Sequence, residues 1–502
     1  MKNKFNPMLL CDFYKIAHRA MYPEGTTTVY STWTPRASRV DGIDRVVSFG
    51  QQAFVKKYLI DFFNENFFNA SKTEIVADYK RTLKFTLGVQ DAETKHIEDL
   101  HDLGYLPLLI KSIDEGTLVP LRVPMMTIQN TDDRFFWLTN YIETLASCEL
   151  WQAATSATLA REYRKILDKA ALETVGNTDA VQFQGHDFSM RGMGGLASAT
   201  SSGMGHLASF VGTDTIPAIQ AAEAYYNANM ETELVGTSIP ATEHSIQCTY
   251  GDDMKYLEAI LTKVHPSGFV SIVSDGYDFW DVIGRVIPAL KDKILARSGG
   301  PQGDRVVIRP DSGDPVKIVC GDPDATPGSL EFKGAIESLY DIFGGTVTEK
   351  GFKVLDSHIG LIYGDAITLT RAQEIVDKLK AKGFASINAV FGIGSYTYQY
   401  NTRDTFGFAL KSTLAVINGD EKQIFKDPKT DDGVKKSQKG AVFVHNNENG
   451  ITFRDELTLS ELKDFEEFVF RPIDVLLTPI FENGKLLKDD TFSKIRARLS
   501  GQ

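Results

Sequence analysis

The feature that most constrains this chain is an alternation that starts at about Gly268. Short apolar runs (FVSIVSD, RVVIRPDSGDP, IGLIYGD and INAVFGIG) take turns with longer amphipathic ones (YDFWDVIGRVIPALKDKIL, SLEFKGAIESLYDIF and TRAQEIVDKLKAKG). In the long segments apolar residues recur at helical spacing: Phe279, Val282, Ile283, Val286 and Ile287 in the first, Ile375, Leu379 and Phe384 in the last. Near-continuous apolar strands between such helices need cover on both faces, which calls for a parallel sheet, closed into a barrel or doubly wound. The runs end on polar or small residues: Asp275, then Arg309 and Asp311, then Gly364 and Asp365, then Gly392 and Gly394. Upstream, VQFQGHDF and FVGTD end in the same way at His186, Asp187 and Phe188 and at Gly212 and Asp214. The carboxyl ends of strands form the active-site face of parallel barrels, so these ends are expected to share one mouth.

The flanks read differently. Residues 26–130 and about 400–502 hold shorter apolar runs broken by turns, such as TTTVYSTWTP and LAVINGDEKQIFKDP, and predict antiparallel sheet. The expected fold class is α/β: an irregular parallel barrel-like domain over 151–399, plus a β-rich domain built by both chain ends, 1–150 with 400–502. Two helices, about 134–150 and 156–175, are expected to link them, the second stopping at Gly176-Asn177.

Bulk properties exclude several classes of function. A formal charge of −12 opposes non-specific nucleic-acid binding, so an anionic ligand needs a local basic pocket. Cys11, Cys148, Cys248 and Cys320 lie far apart with no CxxC pair, which points to a reducing compartment rather than to disulfides or a zinc ribbon. The start MKNKFNPMLLCDFYK lacks a signal-peptide core, and no apolar run has membrane-spanning length. A soluble cytoplasmic protein without membrane or nucleic-acid partners is expected.

The stretch SIPATEHSIQ, Ser238–Gln247, places His244 directly after Glu243, yet no second histidine follows at the spacing of a HExxH zinc helix. A metal-dependent barrel hydrolase would carry a HxH pair on a strand, and the chain has none. The mouth instead gathers Arg191, Asp214, His244, Arg309, Asp311 and Asp365 with Phe188. Arginine forks grip phosphate oxygens, carboxylates hold Mg2+ directly or through water, and a flat aromatic suits a heteroaromatic ring. Together they suit a nucleotide or its precursors.

The stretches CDFYKIAH, TNYIETL, HDFSMRG, GTDT, SIPATEHS, VSDGYD, IRPDSGDP, YGD, TRD and IFKDP occur in an order and spacing that resembles the nicotinamide phosphoribosyltransferase family, from about Asp12 to the C-terminal region. The nicotinate phosphoribosyltransferases are similar in broad pattern and form the alternative. The resemblance implies a type II phosphoribosyltransferase of NAD salvage, a homodimer with shared active sites, which joins nicotinamide to phosphoribosyl pyrophosphate with Mg2+. It further implies ATP as a coupled substrate that phosphorylates His244. By the same resemblance Phe188 stacks on one face of the nicotinamide ring and Tyr14 of the partner subunit on the other, with Asp12 beside it. Ser238 and Ala241 line the channel next to the ring, Arg191 and Arg309 contact ring or phosphates, and Glu243 orients the His244 ring or its neighbours. Asp311 serves the ribose and Mg2+ region, while Gly364 and Asp365 serve the ribose hydroxyls. Arg403, Lys411 and Lys426 match phosphate-binding positions, and Arg36 is grouped with them.

Where the family has GSGGGLLQK before TRD, this chain reads GIGSYTYQYNTRD, so Tyr400 replaces a lysine and Gly394 and Ser395 are the remaining candidates for the ribose phosphate. Lys435, Lys436 and Lys439 read as a solvated basic loop. Asp214 carries the substrate choice: an ionised aspartate accepts from a carboxamide NH2 and repels a carboxylate. Its competing role is to cap the helix that begins at GTDT.

Overall fold

The strands predicted between residues 185 and 393 form one parallel sheet. In the computed structural model, which describes residues 5–364, 366–426, 436–469 and 474–501, the spatial order is Gly212–Thr213, Gly185–Asp187, Ala389–Ile393, Ile359–Tyr363, Arg305–Arg309 and Phe269–Val273. All five pairings are parallel. Helical segments Phe279–Asp281 through Ile287–Leu295, Pro315–Cys320 with Ala335–Phe343, and Leu369–Ala381 follow three successive strands. Their apolar stripes are buried, including Val282, Ile283, Val286, Ile287, Ile375 and Leu379. Phe384 is buried too, but beyond the end of its helix at Ala381.

The two edges of this sheet are joined by a segment with no strand pattern in its sequence. Thr237 bridges to Gly212 at one edge and Ala241 to Ser271 at the other. The Thr237 N–H donates to Val211 O at 2.7 Å, Thr213 N–H to Thr237 O at 2.9 Å, Ser271 N–H to Pro240 O at 2.8 Å, and Thr242 N–H to Ser271 O at 3.0 Å. Residues 237–242 therefore satisfy the backbone groups that both edges would leave open, and the sheet becomes barrel-like.

The chain divides into two compact units: Met1–Thr158 with Ala221–Ala228 and Asn401–Gln502, and Leu159–Gln220 with Asn229–Tyr400. The first is built on a seven-stranded sheet in the order Asp420–Gln423, Ala409–Ile417, Thr26–Thr34, Met126–Asn130, Leu108–Ser112, Thr478–Glu482 and Lys485–Leu486. Every pairing in it is antiparallel. The reading of 26–130 as sheet missed the helices there, such as Lys72–Leu87, which buries Ile75, Tyr79 and Leu83 and is capped by Ser71 at 3.4 Å from the Glu74 N–H. The two linking helices expected at 134–150 and 156–175 are also corrected: Glu143–Thr174 is one helix. No Gly or Pro lies between those residues, so nothing breaks it. It does stop at the expected glycine, where the Gly176 N–H donates to Ala171 O at 3.0 Å.

A buried histidine ties the barrel to its surrounding helices. His206, on the helix Leu196–Leu207, donates from Nε2 to Gly212 O at 2.9 Å and accepts the Tyr398 hydroxyl at Nδ1, 2.7 Å away. Burial pushes its pKa from the ordinary 6.5 down to about 4. The unfolded chain therefore binds a proton below pH 6.5 that the folded chain refuses until about pH 4. Stability contributed by this group is present above pH 6.5 and is lost as pH falls through that window, by about 3 kcal/mol in total. Denaturant midpoints measured from pH 7 to 4 should fall accordingly, and His206→Gln should flatten the slope; an unchanged slope would exclude His206 as its source.

Candidate active site

The barrel unit brings Phe188, Asp214, Ser238, Arg309, Asp311, Gly364 and Gly394 to the carboxyl ends of its strands or to the closing segment. Asp365 lies outside the described residues. The aspartates after the strands fall into two kinds. Asp278 and Asp314 are helix caps, accepting from Trp280 N–H at 3.0 Å and from Val316 N–H at 2.8 Å. Asp214 and Asp275 instead meet side chains far along the chain.

Asp214 accepts two hydrogen bonds on the same oxygen. His186 Nε2 donates to Oδ1 at 2.9 Å and the Ser238 hydroxyl at 2.6 Å. Burial pushes its pKa up, but these bonds, the His186 ring and the Arg309 charge hold it below the ordinary aspartate value, so it stands as a carboxylate. Among the described residues its side chain makes no helix-capping bond; the Thr215 N–H is taken by Thr213 Oγ1 at 2.9 Å instead. His186 links Asp214 to Phe188, whose ring centroid lies 4.6 Å from that of His186, tilted by 44°. A Cβ on Gly392 would lie 2.7 Å from the Phe188 ring, so only glycine leaves that ring its place at the strand end.

His244 opens the short helix His244–Tyr250. The Glu243 carboxylate takes the hydroxyl of Ser245, a neighbour of the ring, while His244 Nε2 lies 3.0 Å from Asp275 Oδ1. The Asp275 side chain is only 5% exposed, and its Oδ2 accepts the Asp311 N–H at 2.8 Å. Burial raises its pKa, but bonds from Ser312, the Asp311 N–H and His244 outweigh this and hold it below the ordinary aspartate value. Asp275 is thus the functional candidate that sequence reasoning listed as a strand end and did not use; its signal was the apolar strand directly before it.

Arg309 is buried, donates to Thr242 O, and lies with its Nε 3.7 Å from Asp311 Oδ1. A Cβ on Gly364 would sit 2.0 Å from that same Asp311 oxygen, which explains the glycine at this strand end. Arg191 is exposed on the turn Met190–Gly192, and Ala241 forms the closing bridge. Ser395 heads the helix Ser395–Tyr398 against Gly192, and the divergent Tyr396 and Tyr400 stack on one another with ring centroids 5.5 Å apart.

The remaining candidates, Asp12, Tyr14, Arg36, Arg403, Lys411 and Lys426, belong to the unit built by the chain ends. There Lys411 lies 3.6 Å from Glu143, which also pairs with the buried Lys15. Burial lowers the Lys411 pKa; Arg36 and Arg403 push it the same way and Glu143 opposes them. Such mutual repulsion marks a cationic cluster that an anion would relieve. Tyr14 lines the same cleft as Lys411 and is 58% exposed. Asp12 accepts from Thr144 Oγ1 at 2.7 Å. Lys426 is tied by its backbone to Ser437 at 2.9 Å, with Lys436 and Lys439 nearby in sequence and Lys435 outside the described residues.

Comparison with known proteins agrees along the whole chain. Residues 183–467 match the nicotinate phosphoribosyltransferase family model, and residues 6–110 match the N-terminal domain model of nicotinamide phosphoribosyltransferase. The chain is 48% identical to the nicotinamide phosphoribosyltransferase of Acinetobacter baylyi, covering 100% of this chain and 98% of that one. It is 35% identical to the protein of the same name from Mycoplasma pneumoniae, over 84% of this chain and 92% of the other. Among solved structures the fold resembles nicotinate-nucleotide pyrophosphorylase from Pyrococcus furiosus, with a TM-score of 0.58 at 17% identity, covering 100% of this chain and 97% of that one. It also resembles human nicotinic acid phosphoribosyltransferase, with a TM-score of 0.53 at 14% identity, covering 98% of this chain and 93% of that one.

Proposed function

The chain belongs to the nicotinate phosphoribosyltransferase family, within its nicotinamide phosphoribosyltransferases, and from that premise we propose that it joins nicotinamide to phosphoribosyl pyrophosphate, releasing pyrophosphate and nicotinamide mononucleotide. The observation that carries this reading is Asp214, an ionised acceptor at the barrel mouth whose partner His186 packs against the flat Phe188 ring. A carboxamide offers that acceptor an N–H, whereas the alternative substrate, nicotinate, sets a second negative charge against it.

Loss of pyrophosphate from C1 leaves positive charge on the sugar and negative charge on the leaving group. Asp311 stabilises the sugar side, and Arg191 and Arg309 stabilise the phosphate side. In the other unit, the Arg36, Arg403 and Lys411 cluster is suited to phosphate oxygens, and Lys426 is a further candidate for them. No proton transfer is needed at the bond-forming step, so positioning of the ring between Phe188 and Tyr14 of the partner subunit, with Asp12 next to it, supplies much of the rate. Gly364, Gly394 and Ser395 give the ribose and its phosphate close approach to backbone.

Among the described residues no group of three or more His, Cys, Asp or Glu could hold a metal alone. Mg2+ that arrives on substrate phosphates takes only one or two protein carboxylates, and Asp311, linked to Asp275 through its N–H, meets that need. When bound, Mg2+ supplies charge neutralisation at the pyrophosphate. ATP is the coupled substrate: His244 holds its Nε2 on Asp275, so Nδ1 is left to attack the γ-phosphorus while the bond to ADP breaks.

The exposed Phe13, Tyr14 and Met21 on the helix Phe13–Met21 are the face expected to meet a second copy. Among the described residues no helix is long and apolar enough to cross a membrane. The deciding experiment is incubation with nicotinamide, phosphoribosyl pyrophosphate, ATP and Mg2+, with detection of the mononucleotide; no product would overturn the reading.

A further inference from the structure

We propose that His186 and Ser238 are positioning residues that choose which oxygen of Asp214 is offered to the substrate ring. Both donate to Oδ1, at 2.9 and 2.6 Å, and among the described residues Oδ2 accepts no hydrogen bond. The inference rests on the reading that the ring carries a carboxamide, and adds how the acceptor for it is set.

The terminal torsion of an aspartate is broad and nearly two-fold, so an unrestrained carboxylate presents either oxygen in turn. Two donors converging on one oxygen from different parts of the chain stop that rotation. His186 comes from the barrel strand Gly185–Asp187, and its ring is largely covered. Ser238 comes from the closing segment, directly after the bridge residue Thr237. The Asp214 backbone is fixed as well, since its N–H donates to Asp187 O at 2.9 Å. A carboxylate only accepts, so the His186 Nε2 must carry the hydrogen. The Asp214 side chain is half exposed, and Oδ2 is then its one acceptor left to a ring held against Phe188; the imidazole that locks the acceptor also touches that aromatic wall.

A purely structural pairing predicts lost stability and nothing specific to the ring. Positioning predicts a rise in KM that passes through Asp214. His186→Leu should raise KM for nicotinamide about tenfold or more while kcat changes little, the size expected for one hydrogen bond to a charged group. His186→Gln, which keeps an N–H near the Nε2 position, should recover most of this. Ser238→Ala, at an exposed position, should shift KM in the same direction without lowering the melting temperature. In an Asp214→Ala background, where no oxygen remains for His186 to hold, His186→Leu should add no further change. Equal effects of His186→Leu in both backgrounds, or a Gln variant no better than the Leu variant at matched melting temperature, would overturn the inference while leaving the proposed reaction intact. Failure of the unaltered protein to turn over nicotinamide at all would remove both.

Discussion

Replacing His244 by alanine should make the rate of mononucleotide formation the same with and without ATP. The unaltered protein should turn over faster with ATP and should carry acid-labile label from γ-labelled ATP; the variant should carry none. The expectation follows from geometry as much as from family. The Asp275 side chain is buried, kept ionised by three donors, and holds the far nitrogen of the imidazole at 3.0 Å, which fixes the ring and leaves the near nitrogen to act as the nucleophile. A variant that still responds to ATP would exclude His244 as the phosphate carrier.

Asp214→Asn carries the second large effect. Two like charges about 4 Å apart at an effective dielectric near 20 repel by roughly 4 kcal/mol. Removing one of them should erode the preference for nicotinamide over nicotinate by on the order of a thousandfold, read as the ratio of kcat/KM values in direct competition. Because asparagine retains the shape and can still meet Ser238 and His186, melting temperature should change little. An unchanged ratio would assign the selection elsewhere.

Much of the barrel was legible because its strands are short, apolar and separated by helices of clear period. What sequence could not do was sort the polar residues after each strand. In VSDGYD and in RPDSGDP the first aspartate faces the mouth and the second caps a helix, and both have the same local chemistry. The distinction lies in partners far along the chain, such as His244 for Asp275. Adjacency in sequence left Glu243 open between the ring and its neighbours: it precedes a helix start, and its carboxylate turns to Ser245. The helices within 51–103 were legible in principle, since Ser71, the Ile75, Tyr79, Leu83 stripe and Gly88 mark a start, a face and a stop. The closure of the barrel was not legible. It rests on single bridged residues in a proline-containing stretch, which leaves no periodic trace.

That closing stretch has a thermodynamic consequence. Ser238, which helps to hold the proposed ring acceptor, and His244, the proposed phosphate acceptor, sit near opposite ends of one tether fixed to both edges of the sheet. If phosphorylation at one end changes ring affinity at the other by some factor, bound ring must change the phosphorylation equilibrium by that same factor. Measuring either quantity therefore fixes the other, and the short segment is where such reciprocity would be carried.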